Sequence, residues 1–304
     1  MSPSPRNSLV VASAPRGWAL AVPFAILCLI WSSTWLVIKE SLGALPAFSA
    51  AAMRFSVAAV VFTLLAPALS RREGGATPGA ALSLVMGLLN FGISYGIVYW
   101  GEQILPSGLA SVLWATFPLM VALLGHFTLP AERLAPRQWI GFVVAFSGII
   151  LLFVKDLAAI GPEARFVGLV FLLSPFSAAI GQVVVKRYAA QVSSALLNRN
   201  GMWIGAASLW SVALWREDVT AIVLTSGGAA SILYLALFGT VTTFGLYYWL
   251  LRHTTANGMS LIAYITPVAA VFLGSWLGDE ALTSSLAIGA SLVLAGLTLT
   301  KLRA

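Results

Sequence analysis

From Gly17 onward the chain alternates long apolar runs with short polar breaks. A helix needs about 20 apolar residues to cross a hydrocarbon layer. Runs of that length predict spans near 17–38, 47–69, 78–100, 106–127, 136–154, 166–186, 197–215, 229–250, 256–276 and 284–300. The breaks carry charge and turn residues: Arg71-Arg72-Glu73 before two glycines, Pro130 with Pro136, Gly161-Pro162, Arg216-Glu217-Asp218, and Gly227-Gly228. The expected fold class is an all-α integral membrane protein with ten transmembrane helices.

Composition removes the soluble alternatives. Only 9% of the 304 residues are charged and 60% are hydrophobic, with a mean hydropathy of +0.94. Soluble chains carry roughly 25% charged residues. The net charge of +7 would suggest nucleic acid in a soluble protein. Here it fits basic cytoplasmic loops, and no basic run interleaved with aromatics suits nucleic-acid binding. The one cysteine, Cys28, lies in an apolar run. His126 and His253 fall at span ends without ligand neighbours, so neither a metal nor a cofactor is expected. Residues 1–16 are polar, and the run that follows lacks a clear cleavage site; it is expected to be a retained first span.

Charge also sets direction. With the N-terminus inside, twelve of the 17 Lys and Arg fall in inner segments. Four, Lys39, Lys155, Arg165 and Arg216, fall outside, leaving Arg54 within a span. This three-to-one bias predicts both termini on the cytoplasmic side; the membrane itself is expected to be a bacterial inner (plasma) membrane.

The chain also repeats itself. Ser111, Pro118 and Gly125 recur as Ser260, Pro267 and Gly274 at an offset of 149. Glu132, Gly141 and Gly148 recur as Glu280, Gly289 and Gly296 at 148, and Lys39 echoes in Lys186 at 147. The offset equals five spans, an odd number, so the second copy is expected upside down. Two inverted five-helix repeats around a central cavity are the architecture of many secondary transporters. The expected organisation is a cytoplasmic tail (1–16), a first repeat (17–154), a periplasmic linker (155–165) and a second repeat (166–304). Two such halves can enclose a site within one chain, so a monomer is expected.

Proline lacks an amide proton and clashes with the carbonyl four residues back. Pro118 and Pro267 therefore predict kinks, and both serve as candidate gating residues. Ser107, Ser111, Trp114 and Pro118 share one helical face, as do Asn257, Ser260, Tyr264 and Pro267. Polar groups thus gather on the kinked faces.

These segments resemble the EamA-type members of the drug/metabolite transporter superfamily. WSSTWLVIK at 31–39 is similar to the family's opening signature, and Pro46 with MRF at 53–55 to its second-span motif. EQILPSGLASVLWATFP at 102–118, then LPAERL at 129–134, is the most specific match, and GDEAL at 278–282 closes a variant second copy. The resemblance covers nearly the whole chain. It implies ten helices in two inverted halves, a central cavity, and export of amino acids or similar small metabolites. The aromatic content resembles the aromatic-amino-acid-exporter branch. A multidrug or nucleoside carrier is the alternative substrate class, and a channel the alternative mechanism.

Polar residues inside spans mark the candidate site. Arg54 lies about eight residues into its span, roughly 12 Å deep at 1.5 Å per residue. It can bind a substrate carboxylate, pair with Glu102, or snorkel to the interface. In the third span Asn90 and Ser94 share one face, and Tyr95, Tyr99 and Glu102 another; Tyr95 and Tyr99 are preferred as ring-stacking, hydrogen-bonding groups. Trp35, Trp114, Gln182, Trp203, Tyr248 and Tyr264 complete the candidates. Glu102 is the candidate coupling residue, because no Asp or Glu occupies a span centre. No G-x-x-x-x-G-K-[ST] loop supplies ATP drive, and no constellation suits an enzyme. The expected partners are a small-molecule substrate and the lipid bilayer. Pro118→Ala or Pro267→Ala is expected to slow transport in liposomes more than it lowers folded yield; unchanged rates would remove the gating role.

Overall fold

The computed structural model describes residues 17–129, 133–253 and 262–301. The side chains of Tyr248 and Tyr264 lie outside the described part, as do Glu132, Asn257 and Ser260. Among the described residues the chain is helical, apart from one isolated β-bridge between Ala76 and Val192.

The helices are α1 (Gly17–Leu42), α2 (Ala47–Glu73), α3 (Ala80–Gly101), α4 (Ser107–Thr128) and α5 (Pro136–Val154). They continue with α6 (Pro162–Tyr188), α7 (Ser194–Arg216), α8 (226–253), α9 (Ile262–Leu277) and α10 (Ser284–Lys301). Among the described residues seven helices, α1 to α6 and α8, are long and apolar enough to cross a membrane, α5 together with its continuation to Ile160. The apolar stretches of α9 and α10 are shorter, and α7 carries Asn198, Arg199 and Asn200 in its first half.

The stretch expected as a linker is itself mostly helical. Asp156–Ile160 forms a short helix, Gly161 turns the chain at φ 137°, and α6 starts at Pro162, four residues before the predicted span. The Asp156 carboxylate accepts hydrogen bonds from Thr283 and Ser285, which ties the end of α5 to the start of α10.

Helix ends expose amide protons that need acceptors. α2 and α7 solve this for each other. Glu217, just past the end of α7, accepts from the backbone N–H groups of Phe48 and Ser49, both at 2.8 Å, and from the Ser49 hydroxyl at 2.7 Å. Glu73, the last residue of α2, accepts from Ala195 N–H at 3.0 Å and from the hydroxyls of Ser193 and Ser194. The two helices therefore run antiparallel along one another. Each carboxylate also sits where the partner's helix dipole favours negative charge.

α5 and α10 make a second antiparallel pair, this one through glycine. A Cβ on Gly141 would lie 2.5 Å from the Gly296 carbonyl oxygen, and one on Gly148 2.6 Å from that of Gly289. Small residues allow such close approach without a water-driven hydrophobic effect. Gly141 repeats as Gly289 and Gly148 as Gly296, so each glycine touches the repeat mate of the other. A twofold relation between antiparallel copies produces that pattern.

Two π-turns follow the same relation. Met86–Ile93 interrupts α3 and Leu237–Thr242 interrupts α8. Their last residues lie 149 positions apart, the offset that separates Pro118 from Pro267. Each π-turn leaves a carbonyl facing a neighbouring helix. Ser177 on α6 donates to Leu89 O at 2.9 Å, and Arg54 on α2 donates to Gly239 O at 3.2 Å.

The prolines do not behave alike. α4 breaks after Trp114, and Pro118 lies in the first turn of the segment Phe117–Thr128, where its missing amide proton is least costly. Pro267 stays inside the continuous α9. The expected pair of kinks is thus one break and one uninterrupted helix.

Removing either capping carboxylate leaves helix-end donors without acceptors. Glu217→Ala and Glu73→Ala are each expected to cost about 1.5–3 kcal/mol. Glu163→Ala, at an exposed acid in the first turn of α6, should cost under about 1 kcal/mol. Denaturant unfolding in micelles measures all three, and equal losses would contradict the capping roles.

Candidate functional site

The site is built around Arg54. α2 is lined on this side by Ala50, Ala51, Ala52, Ala58 and Ala59, all fully buried, so its neighbours approach closely and Arg54 is 1% exposed. Snorkelling is therefore excluded. Arg54 Nε donates to Thr240 Oγ1 at 3.0 Å and Nη2 to Gly239 O at 3.2 Å. Thr240 spends its own hydroxyl proton on Leu235 O at 2.9 Å, which leaves its oxygen free to accept. Gly239 is fixed by space: a Cβ there would sit 2.8 Å from Thr34 Cγ2. The guanidinium lies 4.8 Å from the centre of the Tyr95 ring and 5.4 Å from that of Phe55. Among the described residues Nη1 makes no hydrogen bond of ordinary geometry.

Aromatic rings from four helices surround this cation. Phe55 meets Tyr95 at 4.8 Å and Phe91 at 5.3 Å; Phe91 meets Phe244 at 5.9 Å; Phe244 meets Trp31 at 6.4 Å. A second group joins α1, α4, α3 and α6. Trp35 and Trp114 lie 6.2 Å apart, Trp114 stacks on Phe117 at 4.9 Å, and Trp114 Nε1 donates to Ser174 Oγ at 3.2 Å. Ser174 in turn bonds Ser94 at 3.0 Å.

The end of α3 carries the charged rim. Lys39 Nζ donates to the carbonyls of Glu102, Leu105 and Gln103 at 2.6, 3.2 and 3.4 Å. Glu280 accepts from the N–H groups of Ser107 and Gly108 at 2.5 and 2.9 Å. A cation thus holds the C-terminus of α3 and an anion the N-terminus of α4, each with the sign the helix dipole favours. Glu102 is wholly buried between them, and neither of its carboxylate oxygens has a partner.

The predicted residues divide accordingly. Arg54, Tyr95 and Tyr99 come together, and Trp35 and Trp114 pair with each other. Of the alternatives open for Arg54, the ion pair with Glu102 does not form, since Arg54 turns to α8 instead. The two faces of α3 separate cleanly. Tyr95 and Tyr99 face Arg54, whereas Ser94 and Asn90 face α6, with Asn90 against Gly181. Trp203 is 45% exposed and donates to Thr63, away from Arg54, and Gln182 is also exposed. Lys39 proves to be a helix cap, and His126 accepts the Leu134 amide at 2.8 Å. Sequence reasoning missed Thr240, Gly239, Phe55, Phe91, Phe244 and Ser174. The repeat alone could have flagged Gly239, because it stands opposite Asn90 at offset 149.

Two apolar grooves, of about 250 and 400 Å³, lie off this centre. They share Phe48, Gly96, Ile97 and Val212, and the larger ends at Trp215 and Arg216.

Comparison with known proteins gives the context. Residues 18–154 and 165–302 each match the EamA-like transporter family. The chain is 28% identical over 271 residues to the uncharacterized transporter YoaV of Bacillus subtilis (strain 168), covering 88% of this chain and 92% of that one. It is 30% identical over 261 residues to the uncharacterized inner membrane transporter YedA of Escherichia coli (strain K12), covering 84% and 82%. A protein solved by crystallography superposes with a TM-score of 0.64 at 20% identity, over 93% of this chain and 97% of that one, which is a likeness of fold.

Proposed function

Because the chain belongs to the EamA-like transporter family, we propose that it is a secondary transporter exporting small carboxylate-bearing metabolites, foremost amino acids with aromatic or apolar side chains. Ten helices cross the inner membrane as two inverted five-helix halves, with both termini in the cytoplasm and the substrate site between the halves. The reciprocal α2–α7 and α5–α10 pairs support this arrangement. The name of the Escherichia coli relative supports the membrane.

The observation that carries the substrate reading is the unpartnered Nη1 of a wholly buried guanidinium lying over the Tyr95 ring. A carboxylate satisfies that donor, and a charge-assisted hydrogen bond to it contributes about 1.5–3 kcal/mol. Tyr95, Tyr99, Trp35 and Trp114 offer rings and polar tips to the rest of the substrate. Tyr248 and Tyr264 remain candidates from the second half, with Asn90, Gln182 and Trp203 as more remote ones. Alternating access follows if one half rocks against the other, with the α4 break at Pro118 and the proline of α9 as gating points. One chain suffices for such a site, which supports a monomer.

A liposome transport panel of amino acids, nucleosides and quaternary amines tests this reading. Amino acids should move, and Arg54→Gln should slow them at least about tenfold, the loss of one charge-assisted hydrogen bond, at unchanged folded yield. Transport of quaternary amines alone, or amino-acid transport indifferent to Arg54→Gln, would overturn it.

A further inference from the structure

Among the described residues, four neighbours carry buried polar atoms that make no hydrogen bond of ordinary geometry: Arg54 (Nη1), Tyr99 (Oη), Glu102 (both carboxylate oxygens) and Ser107 (Oγ), although Arg54 and Tyr99 are close enough to interact with each other. Tyr99 and Glu102 stand one turn apart on α3, where residues three apart share a face. Tyr99 and Arg54 act on each other electrostatically, and Glu102 feels Arg54 in turn. Ser107 opens α4 at the far end of the same turn. Buried polar groups without partners are rare enough to need an explanation, and bound water or an exchangeable proton supplies one.

Glu102 lies just beyond the last residue of α3 and is fully buried. The charges facing it are Lys39 from α1, Arg54 from α2 and Glu280 from the turn between α9 and α10. Lys39 spends its donors on backbone carbonyls, and Glu280 spends its oxygens on backbone amides. Neither forms an ion pair with the Glu102 carboxyl. An ionised carboxylate without a donor is strongly disfavoured there, so the neutral acid fits the site. Burial pushes this carboxyl well above the ordinary carboxylate range; the Lys39 charge opposes the rise, Glu280 adds to it, and Arg54 opposes it more weakly.

We propose that Glu102 is a proton-binding site of the transporter, and that its proton affinity rises when a carboxylate occupies Arg54. The second half of this rests on the reading of Arg54 as the carboxylate site. The step is a protonation: one proton leaves bulk water and forms an O–H bond on a Glu102 carboxylate oxygen, and no bond of the protein breaks. Tyr99 and Ser107 supply hydroxyls for that O–H or for a bridging water. The coupling is electrostatic. The Arg54 charge favours ionised Glu102, and a bound carboxylate cancels it, so binding raises the proton affinity of Glu102. By reciprocity, protonated Glu102 strengthens carboxylate binding. Below the Glu102 midpoint the acid is protonated with or without substrate, and affinity is flat with pH. Just above it, up to the higher midpoint of the substrate-bound state, binding draws in a proton and affinity falls by up to about tenfold per pH unit; beyond that second midpoint affinity is flat again.

Two measurements on the full chain in nanodiscs test this. Infrared difference spectra need no substrate: a protonated-carboxyl band at neutral pH should vanish in Glu102→Gln, a neutral isostere that keeps the packing. Its absence from the parent protein, or its persistence in the variant, overturns the proton site. Titration calorimetry with L-phenylalanine, in buffers of different ionisation heat, reads proton uptake. The parent should take up a proton between the two midpoints, and Glu102→Gln should bind without uptake and without pH dependence. Binding without uptake in the parent, or the same uptake in the variant, overturns the coupling. If L-phenylalanine binds neither protein while the infrared band is present, the Arg54 reading and the coupling fall, and the proton site stands.

Discussion

A polar group inside a bilayer-spanning bundle has no water to fall back on, so it must find its partner within the protein. Most of what is distinctive here follows from that requirement. Helix ends that would otherwise expose amide protons are closed by Glu73, Glu217 and Glu280. The C-terminal carbonyls of α3 are closed by Lys39. Carbonyls within the π-turns also accept from the neighbouring helices, from Ser177 and Arg54. Against that background of satisfaction, the unpartnered atoms of Arg54, Tyr99, Glu102 and Ser107 stand out, and the functional reading is drawn from them.

The repeat turns the same requirement into symmetry. A carboxylate at the end of α2 can cap α7 only if the helices are antiparallel, and the reverse bond then becomes available at the other end. The glycine contacts of α5 with α10 obey the same rule. The centre breaks it: Arg54 sits in the first half and anchors on the π-turn of the second, so two similar halves meet in an asymmetric contact.

The membrane class, the repeat and the conspicuous place of Arg54 within a span were legible because each depends on a property that one residue or one run displays by itself. A lone arginine in an apolar run is conspicuous whatever its partners. The partners were not legible. Thr240 and Gly239 lie in a π-turn, where the extra residue per turn shifts every following side chain off the helical wheel. Trp203 and Gln182 looked like site residues by type alone. Gly201 and Gly205, packed against Phe91, mark the inner face of α7, and Trp203 points elsewhere. Gly181 against Asn90 does the same for α6, and Gln182 next to it faces out. Local context also decided the prolines: a wheel cannot tell a proline that opens a new segment from one carried inside a helix.

The central proposal is that Arg54 and Tyr95 become reachable from each side of the membrane in turn. Cys28 is the chain's one cysteine, so a Cys28→Ala background makes that claim directly measurable. A cysteine placed at Tyr95 should react with an impermeant thiol reagent added from either face of the membrane, and L-phenylalanine should slow both reactions. Reaction from one face alone, or from neither in a folded protein, would contradict it.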